Sequence, residues 1–135
     1  MGPINIMAAT DRKSMAAIEK IDFEDDNIEQ FGAAQIQHLP QTQLLDGYAC
    51  IQCSRCQDAC PAYETGKELS PSALEINKRY FFNENLDILS KGESIDKALT
   101  EWMLTEEAAW SCTTCGYCVE VCPVGNEPMV DILRA

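Results

Sequence analysis

Eight cysteines are the residues in this chain whose type and spacing could do chemistry, and they fall into two matching groups. The first group lies in CIQCSRCQDACP, from Cys50 to Pro61, and the second lies in CTTCGYCVEVCP, from Cys112 to Pro123. In each group three cysteines are spaced C-x2-C-x2-C, a fourth follows after three more residues, and a proline comes next. Such closely spaced thiolates are typical of the ligands to a [4Fe–4S] cluster.

The fourth cysteine of each group predicts how the two groups cooperate. In proteins with two such clusters, it ligates the cluster that the other group holds. The sequence therefore predicts two [4Fe–4S] clusters with exchanged fourth ligands. Cluster one takes Cys50, Cys53, Cys56 and Cys122, and cluster two takes Cys112, Cys115, Cys118 and Cys60. The backbone N–H groups that we expect to donate hydrogen bonds to sulfur are those of Gln52, Arg55, Thr114 and Tyr117.

Two other uses of the cysteines stay open. Zinc also binds four thiolates in structural sites, although its ligands usually come in separated pairs. A disulfide framework is disfavoured, because the start MGPINIMAATDRKS lacks the basic and apolar regions of a secretory signal, and cytosolic thiols stay reduced. Under the zinc hypothesis the chain would be a structural module stabilised by four-thiolate sites.

The charge of the chain excludes some classes of partner. Ten Lys and Arg residues against 22 Asp and Glu residues give a net charge of −12. Such a surface disfavours nucleic acids and anionic lipids, and it permits a basic protein partner. The sequence has no apolar run long enough to span a membrane. We therefore expect a cytoplasmic location, with the inner face of the membrane reached through a partner.

Helices are the elements that we expect to position the cysteines. Residues 1–37 are predicted to be a weakly structured arm with one short helix, and residues 38–135 to be the cluster-binding domain. The acidic run Asp22–Asp26 in the arm indicates a solvated loop. A short helix is expected to begin at Pro40 and to end at Gly47, just before the first cysteine group.

The segment between the two cysteine groups also has a helical pattern. Ser70 is a good N-cap and Pro71 suits the first helical position, so we expect a helix over about residues 71–90. A break is expected near Asn83–Asn85.

Three more helical stretches complete the prediction. One covers about residues 94–104, one begins at the capping residue Thr105 and leads towards Cys112, and the C-terminal NEPMVDILRA is a short amphipathic segment. No alternating strand pattern is present. The predicted fold class is therefore all-α, an α-helical ferredoxin-like fold in which a helical insert joins two cysteine-rich cluster-binding loops.

The stretches YACIQCSRCQDACPAYETGKELSP and AAWSCTTCGYCVEVCPVGNEP resemble the iron–sulfur oxidoreductases related to heterodisulfide reductase. With the upstream IDFEDDNIEQFG, the resemblance is to the membrane-bound branch that passes electrons from electron-transfer flavoprotein to quinone. It implies an α-helical ferredoxin domain with its ligands on the eight cysteines. Members of the family usually add an N-terminal membrane domain and C-terminal repeats with a CCG signature, and this sequence shows neither.

Three functions follow from these observations. The first is an electron-transfer module that relays electrons between redox partners, such as a flavoprotein or a membrane quinone-reducing subunit, in a respiratory or anaerobic oxidoreductase system. Such a module has no catalytic site of its own. The second is a subunit or fragment of a heterodisulfide reductase-like or quinone-reducing enzyme complex. The third is a structural module, stabilised by zinc or sensing the redox state.

Five further residues have side chains that could act at the clusters. We interpret His38 as a structural or exposed residue rather than a haem or proton ligand. Trp110 and Tyr117 flank cluster ligands, and we interpret them as packing that shields a cluster. Lys67 and Arg55 either stabilise the cluster charge by Coulomb attraction or lie on the surface, and the sequence does not decide between the two.

Overall fold

The computed structural model of the chain describes residues 2–8, 22–26, 28 and 30–135. These residues form ten α-helices and one short 3-10 turn, and they contain no strand beyond an isolated bridge between Gln35 and Ala98. The all-α prediction is confirmed. The elements are α1 (Gly2–Ala8), the 3-10 turn (Ile36–His38), α2 (Gln41–Ala49), α3 (Arg55–Asp58), α4 (Pro61–Glu64), α5 (Pro71–Glu84), α6 (Leu86–Leu89), α7 (Leu99–Trp102), α8 (Glu106–Trp110), α9 (Tyr117–Glu120) and α10 (Pro128–Arg134).

Helix α5 begins where the sequence predicts it. The hydroxyl of Ser70 accepts a hydrogen bond from the N–H of Ala73 at 3.1 Å, which satisfies one of the free donors at the helix start. Pro71 occupies the first helical position, where no N–H is needed. The predicted break is present as well, because α5 ends at Glu84 and α6 begins at Leu86.

The helix predicted over residues 94–104 is much shorter in the structure, where α7 begins only at Leu99. Backbone N–H groups in this region donate hydrogen bonds to the segment around residues 34–37. The N–H of Leu99 donates to the carbonyl of Ala34 at 2.8 Å, and the N–H of Ile95 donates to the side chain of Gln37 at 3.4 Å. The N–H of Leu99, which a helix over residues 94–104 would use internally, is therefore bonded to the segment around residues 34–37 instead.

The predicted end of α2 at Gly47 is also wrong, because the helix continues to Ala49. A β-carbon on Gly47 would lie 3.2 Å from Cβ of Lys78 and 3.3 Å from the backbone nitrogen of Arg79. Helix α5 therefore passes closely over this position. The close approach of two helices, rather than helix termination, explains the glycine.

The N-terminal arm is only partly described. Residues 9–21 lie outside the described residues, and the acidic run Asp22–Asp26 is exposed and non-helical, as a solvated loop would be. Helix α1 packs against α2. The division into an arm of residues 1–37 and a domain of residues 38–135 stays a prediction.

The main hydrophobic core connects the insert to the cysteine loops. Its buried members include Leu69 and Leu74 from the region of α5, Leu99 from α7, and Cys60 from the first cysteine loop. Cys112 from the second loop packs against it. Both cysteine loops are thus packed against the same hydrophobic core. Helix α3 contacts α9 and α5, and α10 contacts α5 and α9, so the two loops and their following helices form one packed group.

Candidate metal centre

The eight thiols converge in two pockets. The residues that line the first pocket include Cys50, Cys53, Cys56 and Cys122. Those that line the second include Cys60, Cys112, Cys115 and Cys118. Each pocket therefore takes three thiols from one cysteine loop and a fourth from the other loop. This is the grouping that the exchange of fourth ligands requires.

The two loops share one backbone conformation. In the first loop Gln52 and Ser54 have φ of +56° and +61°, and at the equivalent positions of the second loop Thr114 and Gly116 have φ of +54° and +76°. Left-handed conformations at non-glycine residues cost about 1–3 kcal/mol each, so they persist only where the surroundings enforce them. Their repetition at matching positions indicates that the loop shape needed to turn three thiols inward is the same in both halves.

The first turns of α5 and α10 lie between the pockets. Pro71 lines the second pocket while Ser72 lines the first, and Pro128 lines the first pocket while Met129 lines the second. Because a helix carries partial positive charge at its N-terminus, the long helix α5 directs that charge towards both groups of sulfurs. The arrangement suits an anionic cluster held by thiolates.

Burial and mutual repulsion keep several of the thiols protonated when they have no cationic partner. Burial, followed by repulsion from Cys50 and Cys122, raises the pKa of Cys56 to about 12. Burial and repulsion from neighbouring cysteines of the second pocket likewise raise the pKa of Cys118 to about 12. The pKa values of Cys50 and Cys112 are raised mainly by burial too. A metal centre that replaces the protons would stabilise such buried sulfurs as thiolates.

Backbone N–H groups face some of the sulfurs. Those of Gln52 and Thr114 hydrogen-bond to Cys50 and Cys112 and offset part of the burial effect on their pKa values, as the sequence predicted. The corresponding bonds of Arg55 and Tyr117 stay predictions. A bond that the sequence did not reveal runs from the N–H of Asn126 to Sγ of Cys122 at 3.3 Å. A pocket with four sulfurs and inward N–H groups fits an iron–sulfur cluster.

Comparison with known proteins identifies the family. The model of the 4Fe–4S dicluster domain matches residues 46–126, which contain all eight cysteines. The chain belongs to this family. The probable iron-sulfur-binding oxidoreductase FadF of Bacillus subtilis is 35% identical over 98% of this chain and 23% of its own length. The EtfAB:quinone oxidoreductase of Syntrophomonas wolfei is 32% identical over 78% of this chain and 18% of its own length.

The fumarate reductase iron-sulfur subunit of Mycobacterium tuberculosis is 34% identical over 63% of this chain and 32% of its own length. The chain thus spans less than a third of each of these three relatives. No solved structure gave a significant match. The predicted kinship with iron–sulfur oxidoreductases is confirmed, and the chain is an iron–sulfur electron-transfer module of the kind that occurs in such enzymes. Its specific link to heterodisulfide reductase stays a prediction.

A buried polar network fixes the backbone after Cys122 in this dicluster domain. Asp46 is fully buried, and its Oδ1 accepts a hydrogen bond from the side chain of Asn5 at 2.8 Å, while its Oδ2 accepts one from the N–H of Glu127 at 3.2 Å. The side chain of Asn126 donates to the backbone carbonyl of Asp46 at 2.7 Å. These bonds hold Asn126 where its N–H meets the sulfur of Cys122. No sequence pattern indicates the network, because the residues bonded to Asp46 are 41 to 81 residues away from it along the chain.

A buried ionic cluster adjoins the first pocket. Nζ of Lys78 lies 2.9 Å from Oε2 of Glu75, pairs with Asp131, and donates to the carbonyl of Gln43 at 2.9 Å. Burial raises the pKa of Glu75 to about 8, against the opposing effect of the ammonium. Glu75 also lines the first pocket, so this cluster ties α2, α5 and α10 together beside the thiols.

The remaining predicted residues have varied surroundings. His38 is exposed, and its Nδ1 accepts backbone hydrogen bonds from Ala34 and Gln35 at 3.3 Å, which fits a structural role. Arg55 and Lys67 are exposed, and Arg55 lines the first pocket. The interpretation of two aromatic residues as shielding is wrong. Trp110 is 84% exposed and Tyr117 is 60% exposed, so neither packs over a cluster site.

Helices long and apolar enough to cross a membrane do not occur in the part of the chain that the structure describes.

Proposed function

We propose that the chain binds two [4Fe–4S] clusters and relays electrons between redox partners in a respiratory or anaerobic oxidoreductase system. The proposed ligands of cluster one are Cys50, Cys53, Cys56 and Cys122, and those of cluster two are Cys112, Cys115, Cys118 and Cys60. The observation that carries this proposal is the convergence of four thiols in each of two pockets, with the fourth thiol coming from the opposite loop.

A [4Fe–4S] cluster supplies one-electron redox chemistry, and the chain supplies its surroundings. Thiolates hold the cluster, the hydrophobic core around Cys60 limits the access of water, and the N–H of Asn126 stabilises negative charge on the sulfur of Cys122. We assign no bond-making or bond-breaking step to this chain and propose no catalytic site within it.

The proposed partners are redox proteins, either a flavoprotein or a membrane quinone-reducing subunit. The names of the relatives support this choice, since one is an EtfAB:quinone oxidoreductase and another a fumarate reductase subunit. A cytoplasmic location, at the inner face of the membrane through such a partner, follows from the same reasoning. We also propose that the module functions as part of a larger enzyme complex, because the segments shared with this chain are only 18% to 32% of the relatives' lengths.

The first experiment is the metal and acid-labile sulfide content of the chain after anaerobic purification. Two four-iron clusters require about eight iron and eight sulfide per chain. About two zinc and no sulfide would refute the electron-transfer proposal and leave a zinc-stabilised structural module.

Paired cysteine variants test the exchange of fourth ligands. If Cys122 serves cluster one, Cys53→Ala combined with Cys122→Ala damages the same cluster twice, and about four iron remain. Cys53→Ala combined with Cys60→Ala damages both clusters, and almost no iron remains. An arrangement in which each loop keeps its own fourth ligand would reverse these two results. The two double variants are matched, because each removes two thiols.

A further inference from the structure

Trp110 has the largest exposed fraction, 84%, among the large hydrophobic side chains of the described residues. Tryptophan is normally well buried, and exposed tryptophan is enriched in protein interfaces. Trp110 ends α8, two residues before Cys112. This exposed indole therefore stands at the edge of the second cysteine loop and contributes little to the packing of the fold.

A groove opens beside the indole. The residues that line it include Trp110, Ala109, Leu133 and Ile132. Ile132 also lines the second cysteine pocket, so it forms a wall common to the groove and to that pocket. A side chain bound in the groove would lie next to the cluster-two site without entering it.

Two carboxylates accompany the indole. Glu106 and Glu107 precede Trp110 by four and three residues in α8, which places all three side chains on neighbouring positions of one helix face. Both glutamates are exposed, and neither forms an ion pair with another described residue. An aromatic face next to unpaired carboxylates matches a guanidinium group, which stacks on the ring and pairs with carboxylate oxygens.

We propose that the groove beside Trp110 is the docking surface for a redox protein with a basic, arginine-bearing surface. The proposal rests on the proposed function, since it takes the second cysteine pocket to hold a cluster. The net charge of −12 would attract such a partner from a distance, and the indole with Glu106 and Glu107 would fix its position at the groove. Docking there brings the partner to the Ile132 wall of the second pocket.

Binding of model peptides tests the recognition without any electron transfer. Isothermal titration calorimetry would compare hexa-arginine with hexa-lysine on the full chain. We expect hexa-arginine to bind about fivefold more tightly or better, and we expect Trp110→Ala to remove that advantage. Phe23→Ala is the matched control, because Phe23 is 79% exposed and flanked by acidic residues but lies outside the groove. Equal affinities for the two peptides, or the same loss in Phe23→Ala, would overturn the proposal.

Electron transfer to cytochrome c, a basic redox protein, tests the docking. In stopped-flow measurements at low ionic strength, the double variant Glu106→Gln/Glu107→Gln should lower the second-order rate constant about fivefold or more, because these carboxylates attract a basic surface whether its cations are arginines or lysines. Ferricyanide, a small anion that needs no docking surface, should react no more slowly than with the wild-type chain, because the loss of two carboxylates weakens its repulsion. For the calorimetry, Trp110→Leu serves as a second variant in case Trp110→Ala folds poorly. Rates with cytochrome c that stay within twofold of wild type, or an equal loss with ferricyanide, would refute the docking surface.

The iron and sulfide contents distinguish a failure of the proposed function from a failure of the proposed docking surface. A wild-type chain without iron refutes the proposed function, and calorimetry with the peptides then still decides whether the surface recognises arginine. Variants with full iron content but unchanged affinities and rates refute the docking surface alone.

Discussion

Replacement of Lys78 by methionine should destabilise the fold more than almost any other single substitution. Lys78 is 2% exposed, and its ammonium group contacts Glu75, Asp131 and the carbonyl of Gln43. Methionine has a similar length and fills most of the space, so the effect of the substitution is mainly electrostatic. Two buried carboxylates would lose the cation that compensates them, and a buried carbonyl would lose its donor.

The size of the effect follows from this geometry. Removal of one partner from a buried ion pair costs about 3–5 kcal/mol. Lys78 has one charged partner in Asp131 and a second in Glu75 once the pH exceeds the Glu75 pKa of about 8. For a domain of this size, that loss corresponds to a decrease in Tm of about 12–20 °C. The decrease should be larger at pH 8.5 than at pH 5.5, because the carboxylates left behind can take up protons at the lower pH and thereby avoid an uncompensated buried charge.

Thermal unfolding of the anaerobic, iron-loaded chain, followed by circular dichroism at one scan rate, measures this effect. Lys91→Met is the matched control, because Lys91 is exposed and should change the stability by less than about 0.5 kcal/mol. A triple variant that also neutralises Glu75 and Asp131 with Gln and Asn should recover much of the lost Tm. The reasoning is refuted if Lys78→Met, with full iron content, melts within 3 °C or so of wild type.

Two further predictions concern the buried carboxylate and the glycines. Because burial raises the pKa of Glu75 to about 8, protonated Glu75 stabilises the fold fully below pH 4.5, and this stabilisation is lost as the pH rises through 8. The free energy of unfolding of Glu75→Gln relative to wild type should therefore increase between pH 5 and 8.5, with a slope of at most about 1.4 kcal/mol per pH unit, and a difference that does not change with pH would contradict the assignment. Gly32 and Gly92 have φ of +77° and +76°, but a β-carbon on Gly32 would lie 2.3 Å from the carbonyl oxygen of Arg134, whereas one on Gly92 meets nothing within 4 Å. Gly92→Ala should cost about 1 kcal/mol and Gly32→Ala at least about 2 kcal/mol more in thermal unfolding, and equal losses would refute the steric argument.

Local signals in the sequence were sufficient to predict where two helices begin and where the cysteine loops lie. Ser70 with Pro71 and Thr105 begin helices because their side chains act within one turn of the chain, and the hydroxyl of Thr105 does accept the N–H of Ala108 at 3.1 Å. Cysteine spacing likewise acts within a short loop. Such features depend on neighbours in sequence, so the residue types alone predict them.

Long-range contacts account for what the sequence did not reveal. Gly47 stands inside a helix because α5 passes over it, and the segment before Leu99 is extended because it pairs with residues near Ala34. Asp46 and Asn126, which hold the loop after Cys122, are 80 residues apart. The residues next to Asp46 or Asn126 in the sequence do not indicate a partner at such a distance. From its local sequence, each of these two polar residues would be predicted to lie on the surface.

The two cysteine pockets have the same thiol pattern but different surroundings, and this difference has a functional consequence. Ser72, Glu75 and Asn126 line the first pocket, whereas Leu69, Met129 and Ile132 line the second. Reduction potentials of clusters depend on charge, hydrogen bonds and solvent exposure as well as on the ligands. The repeated loops therefore duplicate the ligand geometry, while the unrepeated α5 and α10 give each proposed cluster its own electrostatic environment. The direction of electron flow is set by the potentials of donor and acceptor, so we expect this difference to decide which of the two proposed clusters an electron occupies on its way.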